Sequence, residues 1–318
     1  MKFLCPQGVG DSAWALHKVQ SIAQSRGEDR IDISLTCSSR SPLQDRALDF
    51  VRRFDFVDSA QMCVGYNIHR DPVFSPDGCW NYIDDGMYEY DGEHYCLLIP
   101  NAALEHGTRL EEWLPKYTIN WGIFDHFHVS GEETLFAHNL ADRIGPFAVL
   151  YPGPLDGNTI EGHNRNMLWT PQQWLDLGAR IHRELGLSIV VVGAPYDSLY
   201  YDSLLAPNLN GASGYWTNLI GRTNIGELYS VTSRAKFVIS YQAGVGIVST
   251  LLKTPTGIFW RPQGDSISAQ GYLSFDERMA SAWVPPAILQ SGGHLPLIYG
   301  RHGVDYIMNS IKERKWAD

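Results

Sequence analysis

With 318 residues, 44% of them hydrophobic, the chain is long enough to bury a large core, and its length allows one to three domains. No stretch reaches the roughly 20 apolar residues of a membrane-spanning helix, so we expect a soluble, cytoplasmic protein. The net charge of −10 arises in the first 146 residues, which hold 12 Lys and Arg against 22 Asp and Glu, whereas the rest holds 13 of each. Such an acidic half is a poor partner for nucleic acid, whose phosphates attract basic surfaces.

The first part of the chain alternates between strand and helix patterns. Residues 2–5 and 31–36 have the composition of short strands. A helix is predicted over residues 11–25, where apolar side chains recur at helical spacing, and another over residues 42–53. This β-α-β-α order is typical of a parallel sheet.

The middle of the chain has a less regular pattern. Residues 66–91 are rich in Asp, Gly, Pro and aromatic residues, which favours a long loop over a binding face. A buried strand is predicted at residues 95–100, and helices near residues 110–114 and 132–142.

A second α/β unit is predicted from residue 147 onwards. Apolar strands are expected at residues 147–151, 187–192, 237–240 and 256–260, the last of these being the final clear strand. The helix over residues 171–185 has a threonine at its N-cap and a proline at its first position. The C-terminal segment, residues 304–315, is predicted to be a helix with one apolar face.

A glycine turn separates the first predicted strand from the first helix. Gly8, Gly10 and Asp11 form a G-x-G-D sequence, in which the glycines let the backbone approach a ligand and the helix N-terminus favours anions. The same pattern occurs in dinucleotide enzymes, and Arg40 near the second strand would suit the phosphorylated ribose of NADP. An NADP-dependent oxidoreductase therefore remains an alternative.

Asp11 has two possible roles. Aspartate is favoured at the start of a helix, where it caps free backbone N–H groups. It is also a candidate for a catalytic carboxylate at the mouth of a binding cleft.

A second turn of small residues occurs at Gln242-Ala243-Gly244-Val245-Gly246, between a strand and a helix. Its backbone N–H groups and the dipole of the following helix are suited to an anionic ligand. An ordinary strand–helix turn is the alternative.

We expect no metal site and no disulfide framework. The five cysteines are odd in number and none has C-x-x-C spacing. The run Asp125-His126-Phe127-His128 has metal-like spacing, but no second ligand cluster lies at a recognisable separation. The sequence also lacks a P-loop, a G-x-S-x-G elbow and an H-E-x-x-H motif.

The order of the motifs resembles that of the heptosyltransferase-type glycosyltransferases of family 9, which have the GT-B architecture. Members of that family open with a strand and G-x-G-D, and their second domain begins with an apolar strand and a Pro-Gly-type turn. They also carry a W-P-x-x-x-W-like helix start, a G-[KR]-T-x-x-x-E-L motif and an R-A-x-x-x-I-x-x-D-[ST]-G motif. The matching segments here are Gly8-Val9-Gly10-Asp11, Pro152-Gly153, Trp169 to Trp174, Gly221 to Leu228 and Arg234 to Gly244.

The resemblance implies an α/β fold of two Rossmann-like domains that face each other across a cleft. The acceptor-side domain is expected over residues 1–146 and the nucleotide-sugar-binding domain over residues 147–300. A C-terminal helix, residues 301–318, is expected to pack back on the first domain.

The resemblance also implies a reaction, the transfer of a hexosyl or heptosyl group from a nucleotide diphosphate-sugar to an acceptor hydroxyl. Asp11 would be the general base, and neither a metal nor a resident cofactor is expected. Asp197, just beyond the strand that ends at Gly193, is expected to accept hydrogen bonds from the ribose hydroxyls, with a helix cap as the alternative. The donor-binding residues are expected to be Gly8, Gly10, Pro152, Arg165, Gly193, Asp197, Gln242, Ala243, Gly244, Val245, Gly246 and Arg261.

Some positions differ from the family pattern. Gln242 and Ala243 replace an Asp-Thr pair, which keeps open a non-catalytic nucleotide- or sugar-binding protein. Met167 replaces a basic residue, so Arg165 or Arg261 would supply the charge. A glycan is the favoured acceptor, and a hydroxymethylated DNA base is the second, because some phage-encoded proteins look similar.

Overall fold

The structure is a computed structural model, in which the chain folds into two compact units. The first unit ends at His128 and the second runs from Val129 through the described residues to Asp318. The residues that the structure describes are 2–6, 8–37, 42–64, 81–84, 87–90, 93–96, 118–153, 169–198, 201–202, 206, 214–260, 284–298 and 301–318.

The first unit contains a parallel sheet, as predicted. Strands β1 (Lys2–Pro6), β2 (Ile31–Cys37) and β3 (Val57–Val64) pair in that order and run parallel. Helices α1 (Val9–Ser25) and α2 (Pro42–Val51) connect them. Strand β3 was not predicted, because its polar Asp58, Ser59 and Gln61 interrupt the apolar pattern.

The prediction of an irregular loop over residues 66–91 is wrong where the structure describes that segment. Strands β4 (Asn81–Asp84), β5 (Met87–Tyr90) and β6 (Glu93–Cys96) form an antiparallel sheet. Tyrosines favour strands, and Asp-Gly pairs at residues 85–86 and 91–92 are hairpin signals that should have outweighed the acidic composition. The predicted helix at residues 110–114 and the last four residues of the strand predicted at 95–100 lie outside the described residues.

The second unit is built on a parallel sheet of six strands among the residues that the structure describes. In sheet order these are β12, β11, β10, β7, β8 and β9. Numbered from the first strand of the unit, this is the 3-2-1-4-5-6 order of the Rossmann fold. Their bounds are β7 Phe147–Tyr151, β8 Ser188–Val191, β9 Trp216–Asn218, β10 Val238–Tyr241, β11 Thr256–Trp260 and β12 His294–Ile298.

The α/β fold class is therefore confirmed, but two strands of the second sheet were not predicted. Strand β9 is only three residues long, and β12 contains His294 and Pro296, which weaken its apolar signal. The expectation that residues 256–260 form the last strand is wrong for this reason.

Helices flank the second sheet, and three begin with a capping box. Ser130, Thr170 and Asn224 each accept a hydrogen bond from the N–H three residues on, and the Glu or Gln at that position bonds back. The helices are α3 Gly131–Ile144, α4 Pro171–Leu185, α5 Ile225–Arg234, α6 Gly244–Leu251, α7 Pro286–Gln290 and α8 Val304–Glu313. None of the described helices is both long and apolar enough to cross a membrane.

The unit boundary falls earlier than the predicted residue 146. Helix α3 packs on α5 of the second unit, and Arg234 contacts His138 between them, so α3 belongs to the second unit.

Helix α8 packs on α4, where Lys312 Nζ is 2.7 Å from a Glu184 carboxylate oxygen. Hydrogen bonds from Arg180 and Lys312 lower the pKa of Glu184 to about 2. Residues 301–318 thus group with the second unit, and their packing on the first remains a prediction.

Candidate nucleotide-binding site

The strand order of the second unit reverses between β7 and β10. The chain proceeds from β7 outwards through β8 to β9, and then returns to the other side of β7 as β10. Ser240 of β10 pairs with Tyr151 of β7, so the loops that follow these two residues leave the sheet side by side. Ligands of open parallel sheets bind at this point, beyond the carboxyl ends of the strands.

Several residues predicted for the donor site meet at this edge. Pro152 follows β7 directly, Gly193 to Asp197 follow β8, and Gln242 to Gly246 follow β10. Gly8, Gly10 and Asp11 belong to the first unit. Arg165, Arg261 and the Arg40 of the NADP alternative lie outside the described residues.

The loop after β10 gives helix α6 an N-terminus without a side-chain cap. Ala243 is the N-cap residue in an extended conformation, with no oxygen in its side chain, and the helix begins at Gly244. The first N–H groups of a helix have no intrahelical acceptor, and with the helix dipole they favour an anion. This edge of the sheet can therefore bind a phosphate group through backbone donors.

Gly246 has a packing role in the same loop. A Cβ atom added there would lie 3.0 Å from Ser240 Oγ and 3.2 Å from Ile258 Cγ1. The absence of a side chain lets the first turn of α6 lie close to β10 and β11.

Buried aromatic side chains hold the carboxyl end of β10. The Tyr241 hydroxyl accepts hydrogen bonds from the Trp169 backbone N–H at 3.1 Å and from Trp174 Nε1 at 3.3 Å. Trp169 Nε1 donates in turn to the His302 carbonyl at 3.0 Å, and Phe259 packs against both tryptophans. The sequence motif identified the tryptophans but not Tyr241, whose contribution depends on the position of its strand.

Asp197 is buried, with 3% of its surface exposed. Its Oδ2 accepts a hydrogen bond from the Ala194 N–H at 2.8 Å, which closes the 3-10 turn Pro195–Asp197. Its Oδ1 accepts one from the Tyr151 hydroxyl at 3.3 Å. The carboxylate thus joins the loop after β8 to the last residue of β7.

Two glycines make room for this carboxylate. A Cβ atom on Gly153 would lie 2.9 Å from Asp197 Oδ1, and one on Gly193 would lie 2.8 Å from Oδ2. Any other residue at either position would displace the carboxylate. Gly153, in the turn after β7, and Gly193, after β8, are therefore both required by the same buried carboxylate.

The glycine turn of the first unit places Asp11 in the first turn of α1. Gly8 is the N-cap residue, and its carbonyl accepts the first helical hydrogen bond from the Ser12 N–H at 2.7 Å. A Cβ atom on Gly8 would lie 2.8 Å from Asp11 Oδ2, so the carboxylate lies back over this glycine. Asp11 is partly exposed, whereas Gly10 and the residues that follow are buried.

Helix α1 is a rigid support for Asp11. All of its residues from Ser12 to Ala23 are buried, including His17 at 0% exposure. Burial lowers the pKa of His17 to about 4, against a smaller opposing effect of its hydrogen bond to the Ala13 carbonyl. His17 is therefore neutral at physiological pH.

Among the described residues, no group of three or more His, Cys, Asp or Glu could hold a metal ion. In the metal-like run at residues 125–128, Phe127 packs with Phe50 and Phe54, and Phe124 beside it joins the same cluster. The sequence there builds an aromatic core.

Comparisons with known proteins identify the fold. No protein-family model and no curated protein matches the sequence. The structure is similar to E. coli ADP-heptose lps heptosyltransferase II, with 11% identity, a TM-score of 0.56, and 98% of this chain and 97% of that chain covered. It is also similar to the glycosyl transferase family 9 from Veillonella parvula DSM 2008, with 9% identity, a TM-score of 0.62, and 98% and 96% covered.

A third similar structure contains a nucleotide-sugar. It is E. coli heptosyltransferase WaaC with ADP-2-deoxy-2-fluoro heptose, with 13% identity, a TM-score of 0.54, and 98% and 99% of the two chains covered. At these identities the likeness shows that the chain shares the α/β fold of such glycosyltransferases along almost its whole length.

The contacts of Asp197 predict that it stabilises the second unit. Replacing it with alanine leaves the Ala194 N–H and the Tyr151 hydroxyl without their acceptor, so Asp197→Ala should lower the free energy of unfolding by about 1–3 kcal/mol. Urea denaturation measures this difference. Asp176→Ala is the control, because Asp176 is exposed on α4 and alanine is the better helix former. Equal stability of the two variants would show that Asp197 does not hold the turn.

Proposed function

We propose that this protein transfers a sugar from a nucleotide diphosphate-sugar donor to an acceptor hydroxyl. The observation that carries the proposal is the uncapped N-terminus of α6 at the strand-order reversal, in a chain with the fold of heptosyltransferases. ADP-heptose appears in the name of one of those proteins, and the N–H groups at the start of α6 suit the anionic diphosphate of such a donor.

The donor diphosphate binds to the backbone N–H groups of Ala243 to Gly246, since the Gln242 N–H already donates to the Phe259 carbonyl at 3.1 Å. These donors, with Arg165 or Arg261, stabilise the negative charge that develops on the departing diphosphate. Pro152 and Gly193 shape the ends of the neighbouring strands, where Gly193 makes room for the Asp197 carboxylate. In the Gly8–Gly10 turn, Gly8 makes room for the carboxylate of Asp11. No metal ion or resident cofactor takes part.

The ribose lies near Asp197, beyond the second strand of the unit, which is where Rossmann units place an acidic residue for the ribose. Asp197 already accepts hydrogen bonds from Ala194 and Tyr151, so it acts first by fixing the turn. Its direct bond to a ribose hydroxyl is formed when the donor binds, with the Tyr151 hydroxyl turning away from Oδ1.

Asp11 is the general base. The acceptor oxygen attacks the anomeric carbon, its proton passes to the Asp11 carboxylate, and the carbon–oxygen bond to the diphosphate breaks with both electrons leaving on the diphosphate. Gly8 supports this role, because its missing side chain leaves room for the carboxylate at the N-terminus of a rigid helix.

The acceptor is a glycan or another neutral hydroxyl compound. Residues 1–146, the expected acceptor side, hold 22 of the 35 Asp and Glu residues of the chain. This negative charge disfavours a DNA acceptor such as a hydroxymethylated base.

Binding of a nucleotide-sugar without transfer is the second candidate function. It is favoured by Ala243, the N-cap residue of α6, which has no polar side chain with which to orient a sugar. Turnover of the wild-type protein with a nucleotide-sugar and an acceptor separates the two functions, because a protein that only binds the donor releases no nucleoside diphosphate.

Asp11→Asn should reduce kcat by about 10²–10⁴-fold, because it retains the shape of the side chain but removes the base. Donor affinity and thermal stability should change little. Asp45→Asn is a matched control, since Asp45 occupies the first turn of α2 in the same unit, and its turnover should be normal. Near-normal turnover of Asp11→Asn would refute the assignment and leave Asp11 a carboxylate in the first turn of α1, where it interacts favourably with the helix dipole.

Transfer should persist after exhaustive treatment with EDTA, because the proposed charge stabilisation uses backbone N–H groups and arginine. Turnover with and without EDTA, and after addition of Mg²⁺ or Mn²⁺, measures this. Complete loss of activity in EDTA with recovery on addition of either cation would contradict the metal-independent mechanism.

A further inference from the structure

An exposed tyrosine stands at the end of β8, beside the buried Asp197. Tyr196 has 40% of its surface exposed, whereas Ala194 and Asp197 on either side of the turn are 8% and 3% exposed. Single exposed aromatic side chains are ordinary on protein surfaces. Tyr196 is distinguished by its position beside Asp197 and by the fixed backbone around it.

The turn that carries Tyr196 is held from several directions. The Asp197 N–H donates to the Ala194 carbonyl at 2.9 Å, and Ser198 Oγ donates to the Pro195 carbonyl at 2.6 Å. The Gly221 N–H donates to the Gly193 carbonyl at 3.0 Å. These bonds fix the backbone on both sides of Tyr196.

Gly221 also packs directly against the turn. Its φ of +67° lies in the left-handed region, and a Cβ atom there would come 3.1 Å from Pro195 Cα. Glycine permits both the conformation and the close approach. The backbone that presents the tyrosine ring is therefore set before any ligand binds, which reduces the entropy lost on binding.

We infer that Tyr196 is the stacking platform for the base of the donor nucleotide, an inference that rests on the proposed function. With the diphosphate at α6 and the ribose at Asp197, the nucleoside extends along the sheet edge from β10 past β7 to β8. Adjacent strands are about 4.8 Å apart, so a nucleoside that starts at β10 can reach the turn after β8, which carries both Asp197 and Tyr196. Tyr196 is adjacent in sequence to the ribose carboxylate.

The chemistry of the ring suits this role. Purines and pyrimidines both present a π-face, and aromatic side chains stack on them without reading their hydrogen-bonding edges. Tyrosine adds a hydroxyl that stays in water at the rim of such a contact. The platform thus selects nucleotides over simple phosphates, and leaves the choice among bases to other residues.

The test measures the binding of ADP, UDP, GDP, CDP and inorganic pyrophosphate by calorimetry. Tyr196→Ala should weaken the best-bound nucleoside diphosphate by about 5- to 100-fold, as expected for loss of one stacking contact. Tyr196→Phe keeps the π-face and should bind within about threefold of the wild type. Pyrophosphate, which has no base, should bind equally to all variants.

Tyr306→Ala is the matched control, because Tyr306 is a tyrosine of similar exposure, 43%, on α8 of the same unit. Its affinity for nucleotides should equal that of the wild type. Two results would contradict the stacking role while leaving the donor site intact. In the first, Tyr196→Ala binds nucleoside diphosphates as well as the wild type does. In the second, Tyr196→Ala also loses its affinity for pyrophosphate. If the wild type binds none of the four nucleotides, the proposed function itself fails.

Discussion

Strand β7 pairs with β8 on one side and with β10 on the other, and the candidate site depends on that pairing. Because the chain leaves β7 in one direction and returns to it from the other, the strand order reverses there, and open parallel sheets bind ligands at such a point. The buried Asp197 extends this arrangement to β8 through its hydrogen bond with Tyr151. Tyr241 fixes β10 from within the sheet through the two tryptophans. The site is thus a consequence of strand order, supported by buried hydrogen bonds.

Four glycines around the candidate site fall into two physical classes. Gly153 and Gly193 leave room for a carboxylate, and Gly246 lets a helix lie close to a sheet. Gly221 has a positive φ and supports the turn of Tyr196. In neither class does the glycine itself have to touch a ligand. Packing and backbone conformation are therefore sufficient to explain these glycines.

Local signals in the sequence were sufficient for much of the fold. The cap at Thr170, the proline after it and the apolar run at residues 147–151 predicted α4 and β7 with their observed bounds. The other apolar runs predicted β8, β10 and β11 to within one residue of their observed bounds. Strands β9 and β12 escaped because a three-residue strand and a strand with an internal proline have almost no periodic signal.

The candidate site was predictable in its loops but not in its supports. The glycine turns after β1 and β10 are visible in the sequence, because glycines between a strand and a helix have a recognisable spacing. The burial of Asp197 and the anchoring role of Tyr241 could not be read from the sequence, because both depend on which strands become neighbours. Asp197 therefore holds the turn after β8 in the free protein, and its bond to a ribose hydroxyl stays a prediction.

Hydrogen exchange of the backbone amides tests the central claim, that a nucleotide diphosphate binds beyond the carboxyl ends of β7, β8 and β10. The protein is exchanged with and without the nucleoside diphosphate that raises its melting temperature most, since a ligand that binds the native state stabilises it. The account predicts that added protection is concentrated at residues 193–197 and 243–247. Protection confined to the glycine turn at residues 8–11, or equal exchange with and without nucleotide, would contradict it.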